Sequence, residues 1–163
     1  VGKEINMKTI TVNGNEYTLE FTFAAAECKN LVNRMFKIMT MSYVAEDMKD
    51  LDEEVTVKNM LDGAAKQVAD MPETCRIAFF AGLLEHNPKT EKETVEIMRA
   101  YMRENKISYA KLFKDIQEWM KEDGFFDLSG LNDMIAEMYP ETLEEKKPKK
   151  VPQDHKKKEA STK

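Results

Sequence analysis

The sequence predicts an α+β fold that is mainly α, with an N-terminal β-hairpin, a compact bundle of about five or six helices and a disordered basic C-terminal tail. Three observations support this fold class. An Asn-Gly turn separates two short alternating segments near the N-terminus. Apolar residues recur at helical spacing through most of the remaining chain. The last segment is rich in lysine and almost without apolar side chains, a composition that cannot offset the entropy of ordering.

The chain of 163 residues suits a single domain that buries a core without metals or disulfides. We divide it into a leader or upstream extension at 1–6, one globular domain at 7–145 and a disordered Lys-rich tail at 146–163. Eight of the 25 lysines and arginines but only two of the 30 acids lie in the tail. The tail therefore carries a charge of about +6 and the rest of the chain about −11.

The hairpin is predicted from Thr9–Val12 and Tyr17–Phe23, where β-branched or aromatic residues alternate with polar ones. Both loops that the sequence allows, Asn13-Gly14 and Gly14-Asn15, give the same parity. One face of the hairpin then carries six apolar side chains: Ile10, Val12, Tyr17, Leu19, Phe21 and Phe23. Because an isolated two-stranded hairpin is marginally stable, we expect the next helix to cover this face.

The first helix is predicted from about Ala24 to Met41. Its apolar stripe is about 160° wide, whereas a helix that packs on a core needs about 100°. The stripe consists of Leu31, Val32, Met35, Phe36, Ile38 and Met39. We therefore expect this helix to make a second apolar contact.

Residues 40–57 lose this periodicity and collect acidic side chains, which predicts a solvated, mobile connection. A second helix is expected to start near Thr56. Its apolar side consists of Val57, Met60, Leu61, Ala64, Ala65 and Val68. Pro72 fits the first turn of a third helix that ends before Asn87-Pro88. This third helix is apolar almost all round, so we expect it to be the buried centre.

Three further helices complete the predicted bundle. Thr90 and Glu93 form a capping box at the start of an outer fourth helix. A fifth helix is expected over 108–124 and a sixth near 129–139, and the two phenylalanines between them are expected to fold back onto the core.

Recognised catalytic motifs are absent from the sequence, including phosphate-binding glycine loops, HExxH, GxSxG and calcium loops. Cys28 and Cys75 lack metal-ligand spacing and are interpreted as buried thiols of a reducing compartment. His86 is interpreted as a helix-end residue that binds the last carbonyls. No apolar run is long enough for a membrane span. We predict a soluble protein that is not an enzyme and has no cofactor or metal.

Methionine is abundant, with 12 residues in 163. Its flexible thioether fills gaps in cores and also suits surfaces that accept varied apolar partners. We interpret four methionines on regular stripes as core residues: Met60, Met120, Met134 and Met138. The wide first helix instead favours a partner-binding surface that would hold the apolar face of another helix. Its predicted members are Met35, Phe36, Ile38, Met39 and Met41.

The opening TITVNGNEYTLEFTF hairpin, which runs directly into AAAECKNLVNRMF, resembles the tail assembly chaperones of long-tailed (siphovirus-type) bacteriophages over roughly residues 7–140. The resemblance implies a protein that binds the tape measure protein, keeps it soluble and helps to recruit tail tube subunits. It implies action in the cytoplasm of the infected bacterial host and absence from the mature virion. It also implies a longer minor form made by programmed frameshifting, for which the lysine runs of the tail offer A-rich codons. Self-association stays open.

Two other classes of function also stay open. A small acidic inhibitor that mimics the charge of DNA would bind a basic host protein, with an affinity that falls as salt rises. A nucleic-acid binder would use the basic tail. The tail has no aromatic residue for stacking, however, and the acidic body repels a polyanion, so nucleic acid is not the expected partner.

Overall fold

A two-stranded antiparallel hairpin opens the fold in the computed structural model, which describes residues 7–47 and 52–140. Strand β1 spans Lys8–Val12 and strand β2 spans Asn15–Leu19. Val12 pairs with Asn15, so the loop is Asn13-Gly14, and these two residues have φ values of 50° and 76°. Two positive φ values are what a twist-matched two-residue hairpin turn requires. The structure thus decides between the two loops that the sequence allowed.

The apolar face of the hairpin is buried as predicted, with one exception. Ile10, Val12, Leu19 and Phe21 lie in the core, and Tyr17 is half-buried against it. The exception is the side chain at position 23, which is 68% exposed. The prediction that Phe23 shares the buried face is wrong, because β2 ends at Leu19 and this phenylalanine already begins a helix.

Helices make up the rest of the described chain, which confirms the predicted fold class. They are α1 (Phe23–Ala26), α2 (Lys29–Asp47), α3 (Glu53–Leu83), α4 (Glu91–Asn105), α5 (Tyr109–Glu122), α6 (Phe125–Leu128) and α7 (Leu131–Met138). The predicted extension at 1–6 and the predicted tail at 146–163 lie outside the described residues.

The hairpin is covered by α3 and α4. Strand β2 packs on α3 and strand β1 packs on α4, whereas α2 packs mainly against α1, α3 and α7. Gly82 of α3 makes room for the hairpin: a Cβ atom there would lie 2.8 Å from Cζ of Phe21 and 3.1 Å from Cδ2 of Leu19. The Glu20 N–H also donates to the Gly82 carbonyl at 2.9 Å. The prediction that the next helix in sequence covers the hairpin is therefore wrong.

Helix α3 is one continuous helix of 31 residues where the sequence predicted two. Pro72 lies inside it and supplies no N–H, yet the helix continues on both sides. The predicted buried centre is confirmed in the C-terminal half. Its buried residues are Thr74, Cys75, Ala78, Phe79, Ala81, Gly82 and Leu83. Helix α5 packs along this half.

The predicted mobile connection over 40–57 is wrong wherever the structure describes it. Residues 40–47 belong to α2, and residues 53–57 belong to α3. Asp52 caps α3 by accepting the Glu54 N–H at 3.2 Å, and Glu53 and Glu54 occupy the first turn. Acidic side chains at a helix N-terminus interact favourably with the helix dipole. The acids that suggested a loop are in part the start of a helix.

The predictions for the outer helices hold. Thr90 Oγ1 accepts the Glu93 N–H at 3.2 Å, and a Glu93 carboxylate oxygen accepts the Thr90 N–H at 2.9 Å, which completes the capping box of α4. The N–H and the hydroxyl of Thr90 both donate to the Glu93 carboxylate, and these two bonds lower the pKa of Glu93. Phe125 folds back into the core, where its ring meets the ring of Phe21 edge-on at a centroid distance of 6.5 Å.

Candidate partner-binding surfaces

The residues that the sequence suggested for partner binding do not share one exposed face. Met35 is fully buried, so its side chain contacts no partner in this conformation. Phe36, Ile38 and Met39 are half-buried, and Met41 is 40% exposed. The structure thus separates one core residue from four residues that are at least partly accessible, and their partner-binding role stays a prediction.

Phe36 lines an apolar groove between α2 and α7. The groove has a volume of about 460 Å³. We call it the α2–α7 groove and define it by Ala26, Lys29, Val32, Asn33, Phe36, Ser129, Gly130, Leu131 and Met134. Five of these nine residues are apolar. The others include Ser129 and Gly130, which form the turn before α7. A concave, mainly apolar lining with a few polar groups is typical of binding sites.

The local sequence explains how this groove forms. Helix α7 follows Gly130, which has a φ of 79°, and it buries Leu131 and Ile135 one turn apart. Met134 lies to one side of these two residues and Met138 is the last residue of the helix, and each is 50% exposed. The prediction that these two methionines fill the core is therefore wrong. Met134 instead forms a wall of the groove, opposite Val32 and Phe36 of α2.

Ile38 and Met41 line a second groove, between α2 and α3, with a volume of about 460 Å³. Its lining is more polar and includes Arg34, Lys37, Lys66, Gln67 and Asp70. Arg34 Nη2 lies 2.7 Å from Oε2 of Glu73, and Nη1 lies 3.7 Å from Oδ2 of Asp70. These ion pairs join α2 and α3 beside the groove. Because its lining is charged, the groove suits an apolar helix face less well than the α2–α7 groove does.

A separate apolar surface lies on the N-terminal half of α3. We call it the α3 stripe and define it by Val57, Met60, Leu61, Ala64, Ala65 and Val68, all of which are exposed. The four larger side chains are 56% to 66% exposed. Their apolar pattern was visible in the sequence, but the prediction that Met60 fills the core is wrong.

The α3 stripe is exposed because α2 packs on a neighbouring side of α3. Gly63, Gln67 and Asp70 are half-buried and face α2, where the Cε atom of Met41 lies 3.8 Å from the position of a Cβ on Gly63. At about 100° per residue, this side lies roughly 100° around the helix axis from the stripe. On α3, the contact with α2 thus uses small and polar residues, and the apolar residues of the stripe stay exposed to solvent.

Two contacts of titratable side chains near the ends of β2, α3 and α5 were not predicted from the sequence. His86 Nε2 lies 2.5 Å from Oε2 of Glu20, so this histidine binds a carboxylate and not the last helix carbonyls as predicted. Asp123 accepts the Phe21 N–H at 2.8 Å. Burial raises the pKa of Asp123 even though this hydrogen bond lowers it, and Glu20 and Glu122 raise it further. These long-range contacts have no local sequence signal.

The two cysteines differ in burial. Both are free, with Cys75 buried and Cys28 half-buried. The Cys75 thiol donates to the Tyr109 carbonyl at 3.6 Å, and burial raises the pKa of Cys75 to about 12. A thiol with such a pKa is protonated at neutral pH and is a poor nucleophile.

The described ranges offer neither a metal-binding cluster nor a membrane span. Across 7–47 and 52–140, no group of three or more His, Cys, Asp and Glu side chains is arranged to hold a metal ion. Among the helices of those same ranges, none combines the length and the apolar character needed to cross a bilayer.

Comparisons with known proteins give no match. No protein-family model matches the chain, no curated protein matches it, and no solved structure matches it. The surfaces described above therefore carry the functional proposal.

Proposed function

We propose that this protein is a tail assembly chaperone that holds the apolar face of an amphipathic helix in the α2–α7 groove. Its client is the tape measure protein of a long-tailed bacteriophage, a long helical chain that must stay soluble until tail tube subunits assemble around it. The observation that carries the proposal is the half-exposed apolar lining of this groove, with Phe36 and Met134 on opposite walls. The identity of the client rests on the resemblance of residues 7–140 to that chaperone family.

The groove has the features that helix recognition uses. Amphipathic helices bind by laying apolar side chains into a groove between helices of the receptor. Leu131 forms a buried floor, whereas Phe36 and Met134 remain accessible on the walls. Thioether and aromatic side chains accept varied apolar shapes, which suits a client with many similar but unequal segments. Lys29 and Asn33 add polar groups to the lining.

A modest affinity at each site fits this task. The client must be released when the tail tube forms, so tight binding at one groove would oppose assembly. Several copies along one long client give a high combined affinity from weak single contacts. In this proposal the protein is a binding protein and not an enzyme, acts in the host cytoplasm and is absent from the finished virion. Recruitment of tail tube subunits and the frameshifted longer form belong to the same proposal.

The experiment is co-expression with the long helical protein that we expect to be encoded nearby, followed by size-exclusion chromatography. The wild-type chain is expected to keep the client soluble and to elute with it. Met134→Asp places a charge in the groove and is expected to weaken client binding by about tenfold or more. Met138→Asp is the matched control, because it changes the same residue type on the same helix at the same 50% exposure, outside the groove lining.

Three outcomes would overturn the proposal. The client stays insoluble with the wild-type chain, or Met134→Asp and Met138→Asp weaken binding equally, or binding to the client falls steeply as salt rises. The last result would favour the acidic charge-mimic class, since apolar contacts in a groove depend little on ionic strength whereas charge pairing is screened.

A further inference from the structure

We infer that the α3 stripe pairs with the α3 stripe of a second copy of the chain, in an antiparallel arrangement whose two-fold axis passes between Leu61 and Ala64. The pairing itself does not depend on the proposed function. It concerns a surface that is distinct from the α2–α7 groove and lies on the N-terminal half of α3.

The first observation is the exposure of the stripe. Val57, Leu61 and Val68 are 56%, 65% and 66% exposed, and they lie on one side of a single helix. Contiguous exposed apolar surface on a folded domain marks an interaction site. Since its α2-facing side lies elsewhere on α3, no helix within residues 7–47 and 52–140 covers this surface.

The second observation is the spacing. Residues 57, 61, 64 and 68 are separated by steps of four, three and four, and the same rhythm continues to Met71 and Cys75. Alternating steps of three and four place residues along the seam that a second helix covers. In the C-terminal half this seam reaches the core, where Cys75 contacts Tyr109 of α5. In the N-terminal half, none of the described helices covers the same seam.

The third observation is that the free part of the seam is self-complementary. Its spacing reads the same in both directions, so an antiparallel copy brings Val57 opposite the second copy's Val68. The same register brings Leu61 opposite the second copy's Ala64, which places a large side chain against a small one. A two-fold interface requires this kind of self-matching, because each surface must be its own partner.

Charge placement selects the antiparallel orientation. Glu53, Glu54 and Lys58 lie near the N-terminal end of the stripe. The charged residues beyond Ala64, Lys66 and Asp70, lie on other sides of the helix and line the groove against α2, so the stripe there has no charged neighbour as far as Met71 and Pro72. An antiparallel copy therefore brings the charged end over the uncharged end. A parallel copy would bring the two Glu54 side chains together, and like charges on facing positions oppose pairing.

The chain's own basic tail is a poor alternative occupant. Residues 146–163 contain eight lysines and a single large apolar residue, Val151. Such a segment cannot bury a seam of valine and leucine, because it offers almost no apolar surface in return. A second copy of the stripe offers an equal apolar surface.

The dimer has a consequence that rests on the proposed function. Two copies joined through α3 would present two α2–α7 grooves to one client. Two linked grooves bind a repetitive helix more tightly than one, because the second contact is intramolecular. Self-pairing would thus set the strength of client binding without contributing any client contact.

The test is sedimentation equilibrium of the full chain over a wide concentration range. The wild-type chain is expected to form a dimer, and Leu61→Lys or Val68→Lys is expected to weaken self-association by about tenfold or more. Val55→Lys is the matched control, since Val55 is 48% exposed on the same helix and lies on a different side. Unchanged circular dichroism of each variant shows that folding is intact. A monomeric wild-type chain, or equal weakening by Val55→Lys, would overturn the inference.

Spin-label distances test the orientation. Single cysteines replace Asp62 or Ala69 in a Cys28→Ser background, because Cys75 is buried. Antiparallel pairing predicts that the distance between the two labels is longer at 69 than at 62 by on the order of 10 Å. Equal distances would show a parallel pair and contradict the inferred arrangement. A dimer that fails to bind the client would contradict only the proposed function, and a monomer that binds it would contradict only the inferred dimer.

Discussion

The two halves of α3 have similar apolar patterns but opposite environments. In the C-terminal half, Phe79 and Leu83 are fully buried among the hairpin and the neighbouring helices. In the N-terminal half, Leu61 and Val68 are about two-thirds exposed. Amino-acid type alone does not produce this difference, since both halves carry a continuous apolar side. What differs is which elements pack nearby, and one helix can therefore contribute a core at one end and a binding surface at the other.

Shortening one apolar side chain in each half of α3 to alanine tests this difference in packing most directly. Phe79→Ala is expected to lower the free energy of unfolding by about 3–5 kcal/mol, because it removes a buried ring and leaves a cavity. Leu61→Ala is expected to change it by no more than about 0.5 kcal/mol, because the side chain is mostly in water. Chemical denaturation of both variants at low protein concentration measures the difference. Similar losses for the two variants would show that the halves are equally packed.

Two glycines of α3 sharpen the comparison. A Cβ at Gly82 would meet Phe21 at 2.8 Å, whereas a Cβ at Gly63 would meet only Met41, at 3.8 Å. Gly82→Ala is expected to cost about 1–3 kcal/mol by overpacking. Gly63→Ala is expected to stabilise by about 0.5–1 kcal/mol, because alanine favours the helix and finds ordinary contact distance. Thermal unfolding should move in opposite directions for the two variants, and a common direction would contradict the packing described for Gly82.

Asp123, the C-cap of α5, is a half-buried carboxyl beside the hairpin that packs on the buried half of α3. Because its pKa is raised in the folded state, the folded protein retains this proton at a higher pH than the unfolded chain does. Its contribution to stability is therefore greatest at low pH and falls as pH rises from the ordinary aspartate pKa through the raised one. Asp123→Asn should remove this decline while its amide oxygen still accepts the Phe21 N–H.

Asp123→Ala removes both the titrating carboxyl and the hydrogen-bond acceptor, whereas Asp123→Asn removes only the titration. Asp123→Ala should cost about 1–3 kcal/mol at neutral pH, because it leaves the Phe21 N–H without its acceptor. Urea unfolding at a series of pH values measures both effects. An unchanged pH profile in Asp123→Asn would show that another group controls it.

The smallest global effect is expected at the other end of the helix. Asp52 caps α3 by accepting the Glu54 N–H. Removing such a cap lowers the stability of the helix end by about 1 kcal/mol. Because the first turns of α3 contribute little to the core, Asp52→Ala should speed hydrogen exchange in 53–60 while the global free energy of unfolding changes by less than about 0.5 kcal/mol. A global loss as large as the local one would show that the exposed half is cooperatively joined to the core.

Local signals explain what the sequence predicted well. The hairpin turn within 13–15, the Thr90–Glu93 capping box and the buried centre around Phe79 each depend on a short stretch of residues. The fold class followed from these signals and from the helical periodicity.

The contacts that the sequence missed depend on residues far apart in the chain. Glu20 and His86 are 66 positions apart, and the space for the hairpin on α3 depends on one missing Cβ at Gly82. The packing of α2 on a polar side of α3 was equally hidden, because periodicity marks an apolar side without saying which element covers it. For the same reason the partner-binding surface that the sequence predicts in α2 includes the buried Met35.

Pro72 separates the two halves of α3 and gives the helix a mechanical property. With no N–H at this position, the carbonyl of Val68 lacks its usual donor four residues on, so the helix resists bending less here than elsewhere. Replacing Pro72 by alanine restores that donor and should narrow the distribution of spin-label distances between the two halves; an unchanged distribution would show that the joint is already stiff. Force on the exposed half would therefore concentrate its bending at this point, where Arg34 of α2 resists the bend by pairing with Asp70 before the proline and Glu73 after it.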